Sequence, residues 1–187
     1  MSKAVIVVDY DPAWPAMFEQ LHARIWPAIS DVATSLEHVG STAVPGLAAK
    51  PVIDMTIVVP TAEAMATVIA RLATIGYRHC GDLGIPGREM FARPADASVA
   101  HHLYACVADN PALRNHLTLR DHLRRDPSAA QAYGVLKRQL AARFPRDIDA
   151  YIEGKTDFIL AILAGGDFSQ EQLGAIRLAN ERPGGVG

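Results

Sequence analysis

At 187 residues, half of them apolar and about a fifth charged, the chain has an ordinary soluble composition and the length for one packed domain with a helical appendage. A formal net charge of −2 excludes the global basic field that recruits nucleic acid. Cys80 and Cys106 are isolated, with no CxxC spacing and no histidines at zinc-ligand intervals, so both read as small core residues. The N-terminus lacks an apolar signal core and no apolar run reaches membrane length, which predicts a cytoplasmic protein with no membrane partner.

In chain order, Lys3 to Val8 reads as a short apolar strand. Asp11-Pro12 then starts a helix through a cap followed by proline at the first helical position. Trp14, Met17, Phe18, Leu21, Ile25, Ala28 and Ile29 recur at helical spacing, and Pro27 is expected to bend or end that helix. Glu37 to Gly40 reads as a strand feeding a loop, and Val52 to Val59 as a β-branched strand ended by Pro60. Thr61 caps a second helix, with Met65, Val68, Ile69 and Leu72 on one face and Gly76 as its stop. Tyr77 to Cys80 reads as another strand, followed by a glycine-rich loop, 81–87. Arg88 to Arg93 and Val99 to Val107 then form a hairpin in which His101 and His102 face opposite sides of the sheet.

From Asp109-Asn-Pro111 to Leu163 the pattern predicts three helices, broken at Asp126-Pro127 and at Pro145-Arg-Asp147. A short helical stretch follows at Glu171 to Leu178, and the Pro-Gly-Gly-Val-Gly end is expected to fray. The order implies an α+β fold, a mixed sheet flanked by helices with a C-terminal helical part. The expected organisation is one domain over 1–165, helical from about 110, and a partly disordered extension over 166–187.

The chemistry concentrates between the two central strands. Asp54 interrupts an apolar strand, where an ionised carboxylate costs several kcal/mol unless a cation, metal or donor compensates it. Gly40-Ser41 opens the loop before it, followed by Thr42; such a turn lets successive backbone N–H groups hold phosphate oxygens, and Lys50 adds a positive charge near the strand entrance. These parts suggest a phosphate site facing a metal site. A tight structural loop with Asp54 hydrogen-bonded and no ligand fits the same residues. His102 shares its face with Tyr104 and could line the site. Arg88 borders the glycine-rich loop, where an arginine can clamp phosphate. Arg120, Lys137 and Lys155 lie beside or between apolar residues of the helical part, where a cation either snorkels to solvent or meets an anion.

Val8-Asp-Tyr-Asp-Pro-Ala-Trp-Pro15 and the block from Glu37 to Asp54 resemble the GrpB family, as do His101-His-Leu-Tyr104, Leu119-Arg-Asp-His-Leu123 and Tyr133-Gly-Val-Leu-Lys137. The likeness covers roughly residues 5 to 163. It implies the nucleotidyltransferase superfamily, whose mixed sheet carries a Gly-Ser turn followed by a strand with metal-binding carboxylates. It also implies kinship with a domain fused behind dephospho-CoA kinase in some bacteria. The usual pattern has a second carboxylate two residues after the first, where this chain has Thr56, and a third on a later strand, where it offers His102 and Tyr104.

On this resemblance the expected function is binding of a nucleoside triphosphate, with possible transfer of a nucleotidyl or phosphoryl group to a small acceptor. Gly40, Ser41 and Thr42 would hold the phosphates and Lys50 would neutralise them. Asp54 would carry Mg²⁺ and His102 would act as general base. Arg88, Arg120, Lys137 and Lys155 would stabilise charge on the leaving phosphate, with Tyr104 lining the nucleotide site. The alternatives are a non-catalytic nucleotide- or coenzyme-binding regulatory or chaperone-like module, which needs no metal, and a plain interaction domain.

Overall fold

The computed structural model describes residues 4–181. Its centre is a five-stranded mixed sheet in the order β1 (Ser35–Val39), β2 (Ile53–Val59), β5 (His101–Val107), β4 (Arg88–Ala92), β3 (Arg78–His79). Only the β2–β5 pair is parallel. Alternation along the central strands sorts the side chains. Ile53, Met55, Ile57 and Val59 join Leu103 and Ala105 in a core against α1 (Trp14–Ile29) and α2 (Ala62–Thr74). On the other face, Val58 and Cys106 pack against Leu113 of α3 (Pro111–Arg125). Burial pushes the Cys106 thiol up to about 12, in keeping with a small core residue.

Three helices complete the second face: α4 (Pro127–Arg143), α5 (Ile148–Glu153) and α6 (Thr156–Ala164). Asn110, Asp126 and Asp147 cap α3, α4 and α5 by accepting backbone N–H bonds from Ala112, Ala129 and Ala150. Thr61 likewise accepts from Ala64 at the start of α2, and Gly76 at φ +92° follows its end.

Several boundaries differ from the sequence reading. Of the expected strand ending at Val8, the described residues hold only one isolated bridge, Val8 with Ala49, because the sheet edge beside β2 is already filled by β1. The first helix begins at Trp14, since Asp11 ties its carboxylate to the Ala13 N–H and forms a turn first. Pro27 sits in the last turn, and the helix runs on to Ile29. Tyr77 and Cys80 flank a strand of two residues. The third expected tail helix is two, divided at Gly154 and Lys155, so the helical part to Leu163 holds four. The helical stretch expected at Glu171 to Leu178 is α7, which spans Gln170–Asn180 with a Ser169–Gln172 capping box. The Pro-Gly-Gly-Val-Gly end and Lys3 lie outside the described residues. No described helix is long and apolar enough to cross a membrane.

Gly40 links β1 to the short 3₁₀ turn Ser41–Ala43, at φ +69° and ψ −170°, a region essentially reserved for glycine. A Cβ there would fall 2.4 Å from Asp54 Oδ2. Strain and overlap therefore act together, and Gly40→Ala is expected to cost at least about 2 kcal/mol, read as a lower urea midpoint. A midpoint within experimental error of the parent would show that the loop relaxes freely.

Candidate functional site

The parallel register sets Asp54 of β2 beside His102 of β5, and Thr56 beside Tyr104. Asp54 Oδ1 lies 2.8 Å from His102 Nδ1. An ionised carboxylate only accepts, so Nδ1 carries a proton, and in the neutral ring the lone pair is on Nε2. The strand carboxylate is thus compensated at Oδ1 by an imidazole on the neighbouring strand, while Oδ2 lies close against Gly40.

This pair lines a cavity of about 450 Å³ between the sheet and the helical part. Gly40, Ser41, Thr42, Lys50, Tyr104, Lys137 and Lys155 line the same cavity. Lys137, only 2% exposed, donates from Nζ to Ser41 Oγ at 2.7 Å and rests 4.6 Å from the centre of the Tyr133 ring. Lys155 rests 4.5 Å from the centre of the Tyr151 ring. Burial holds Lys137 down to about 6, aided by Lys155 and Arg138 and opposed by Asp54. Burial and Lys50 hold Lys155 down to about 8, again opposed by Asp54. Lys50 is lowered by burial and raised by Asp54. Asp54 is the carboxylate whose field reaches all three ammonium groups.

Other candidates sit elsewhere. The Thr42 hydroxyl, at the cavity wall, is engaged by His38 Nε2 at 3.0 Å and by the Val52 carbonyl at 3.3 Å, so it braces the loop. Arg88 stacks 4.7 Å from the Tyr104 ring centre, outside the cavity lining. Arg120 is also outside it. Its guanidinium donates to Glu37 at 2.9 Å, to Asp121 at 2.7 Å and to the His38 carbonyl at 3.1 Å, which ties α3 to β1. Those partners hold Arg120 apart from the residues that line the cavity. His101 is a satisfied core histidine, bonded to Tyr77 Oη at 2.8 Å and to the Val99 carbonyl.

The sequence reading missed His116 and Tyr151, both on the cavity wall. His116 Nδ1 lies 3.4 Å from the fully buried Thr56 hydroxyl, the long end of a hydrogen bond, and burial pushes its pKa down to about 4. The signal was available: His116 precedes Arg120 by one helical turn on the face that also carries Leu113 and Leu117. A larger depression of about 550 Å³ is lined by Pro45, Leu123, Arg124, Pro127 and Arg138 among others. Its arginines already serve the Ala43 carbonyl and Asp9.

The donor set does not fit the Mg²⁺ that the resemblance implies. Mg²⁺ favours carboxylates, waters and substrate phosphates in octahedral geometry. Asp54 is the only carboxylate lining the cavity, its Oδ1 faces His102, and the described residues hold no group of three metal-ligating side chains.

Comparison with known proteins matches residues 4–164 to the family described as GrpB protein. "UPF0157 protein YqkA" of Bacillus subtilis is 36% identical over 157 residues, 84% of this chain and 46% of that protein, so this chain spans about half of YqkA. A dephospho-CoA kinase of Mycolicibacterium paratuberculosis is 31% identical over 176 residues, 81% of this chain and 43% of the kinase. The crystal structure of GrpB from Enterococcus faecalis superposes with a TM-score of 0.75 at 33% identity, over 94% of this chain and 100% of that one. Cid1 in complex with the UTP analog UMPNPP gives 0.50 at 16% identity, over 73% of this chain and 43% of Cid1, a likeness of fold alone.

Lys137 carries a stability cost with a definite pH signature. Its folded-state pKa lies below its unfolded value, so between about 6 and the ordinary lysine range the unfolded chain binds the extra proton. Stability therefore rises with pH across that window, and the cost is fully present below it. Lys137→Met is expected to stabilise the protein at neutral pH by about 1–4 kcal/mol, with the gain shrinking as pH rises toward 10. Urea unfolding across that pH range measures both; a pH-independent loss of stability would show that the ammonium is well solvated.

Proposed function

The chain belongs to the GrpB family, and on that premise we propose that its cavity binds a nucleoside triphosphate and moves a nucleotidyl or phosphoryl group to a small acceptor. The observation that carries this reading is the convergence, on one wall-to-wall cavity, of three lysines from separate segments with the Gly40-Ser41 loop and an Asp–His pair. The cations and the loop supply charge and donors for phosphate oxygens. Asp54 fixes the His102 tautomer and orientation, and His102 Nε2 takes the proton of an acceptor hydroxyl or amine as it attacks phosphorus. Lys137 and Lys155 then face charge developing on the leaving phosphate. The nucleotidyltransferase-like fold supports this class of ligand by analogy, which raises its prior and assigns no residue a role.

One observation favours a second reading, a nucleotide- or coenzyme-binding module without turnover. Thr56, two residues after Asp54, is fully buried and engaged by His116, so β2 offers the cavity one carboxylate rather than two.

A thermal-shift panel of ATP, GTP, CTP, UTP and CoA, each with and without Mg²⁺, tests the common core of both readings. A ligand that binds only the native state raises the melting temperature by mass action. At least one member is expected to do so, and Lys155→Met is expected to abolish most of the shift. His102→Gln is expected to keep the shift while abolishing turnover of the nucleotide that binds. Binding without any turnover by the parent protein selects the second reading, and a panel with no shift removes both.

A further inference from the structure

We infer that this cavity takes a polyphosphate ligand free of divalent metal, with Lys50, Lys137 and Lys155 supplying the positive charge that a metal ion would otherwise bring. The inference rests on the reading of the cavity as a phosphate site and concerns how that site meets the charge of its ligand.

Charge at the cavity wall is inverted relative to a cation site. One carboxylate, Asp54, shares the cavity lining with three lysines, and it is already committed to His102 at 2.8 Å. A Cβ placed on Gly40 would collide with the other oxygen, so the loop closes over that side of the carboxylate. The neighbours that might have completed a coordination shell are neutral and occupied with one another. Thr56 is fully buried against His116, whose ring lies 6.0 Å from that of Tyr104. Among the described residues no three metal-ligating groups come together. A divalent cation entering here would meet three lysines, one carboxylate already bonded to His102 and no second anionic ligand. A ligand bearing several phosphate charges meets the reverse arrangement.

The lysines are also held in a way that leaves their charge available. Lys137 is engaged by a hydroxyl and an aromatic face, and Lys155 by an aromatic face, so neither group is cancelled by a carboxylate bonded to it. Burial weakens the protonation of both, so an arriving polyanion draws them back to the charged form.

Isothermal titration calorimetry of the purified chain with ATP and with inorganic tripolyphosphate, in EDTA and in excess Mg²⁺, decides the matter. Affinity in EDTA is expected to equal or exceed affinity in Mg²⁺, because the ion competes for the same phosphate oxygens. Asp54→Asn is expected to bind at least as tightly as the parent in EDTA, having lost a repulsive charge. Lys155→Met is expected to bind about tenfold more weakly or worse. Binding by the parent only when Mg²⁺ is present overturns the inference and leaves the phosphate site standing. That arm needs no variant to fold. A loss of affinity in Asp54→Asn, with its fold intact by circular dichroism, overturns it as well. No binding of either ligand in either condition removes the phosphate site and this inference together.

Discussion

A carboxylate in the middle of an apolar strand must be compensated, and the way Asp54 meets that demand organises everything around it. The partner is not on its own strand or loop but on β5, brought alongside by the single parallel pairing of the sheet. That pairing requires the chain to leave β2, cross through α2 and the β3–β4 ribbon, and return in the same direction as it left. The loop from β1 must then pass close over the other carboxylate oxygen, which only a residue without Cβ permits. One charged group thus fixes a strand register, a glycine and the mouth of a cavity.

The helical part answers a different constraint. Its buried Lys137 opposes folding, since an ammonium removed from water with no bonded carboxylate is held in an unfavourable state. A core position chosen for stability alone would take an aliphatic side chain of similar volume. Cost retained at a cavity wall, rather than scattered through the core, is the usual mark of a site whose chemistry outweighs its contribution to stability. Arg120 is the instructive contrast. It too is a cation from an apolar helix face, but it sits among Glu37, Asp121 and a backbone carbonyl and binds α3 to β1.

That contrast marks where the sequence was legible. Local rules located the Asp54 strand, the Thr61 cap, the glycine-rich loop and the hairpin, because each depends on residues within a few positions of one another. His101 and His102 were separated correctly by the two-residue period of a strand. The mixed sheet and its helical C-terminal part followed from element order. The pairing of Asp54 with His102 was not legible, since 48 residues separate them and no local signal sets a parallel register. The bond between Arg120 and Glu37 was hidden for the same reason, 83 residues separating the two. The N-terminal segment looked like a strand by composition, but the pairing edge it would need was occupied by β1.

A further regularity in the sequence acquires its meaning only from the site. Tyr133 precedes Lys137 by four residues, and Tyr151 precedes Lys155 by four, which in helical geometry sets each ring beneath the following ammonium. The two pairs come from different parts of the helical region, and both lysines line one cavity. An aromatic face steadies a cation without neutralising it, whereas a carboxylate at the same distance would leave a closed ion pair with little attraction for a third charge. Two lysines mounted in this way are ordered without being bonded to a carboxylate, so the charge on each responds to what enters the cavity. Asp54, held by His102, is near enough to be felt by both lysines without sharing a hydrogen bond with Lys137, whose proton goes to Ser41 instead. On the proposed reading the arrangement suits an anion from outside the protein, and its asymmetry, lysines on the helical side and an imidazole on the sheet, would give that anion a direction in which to lie.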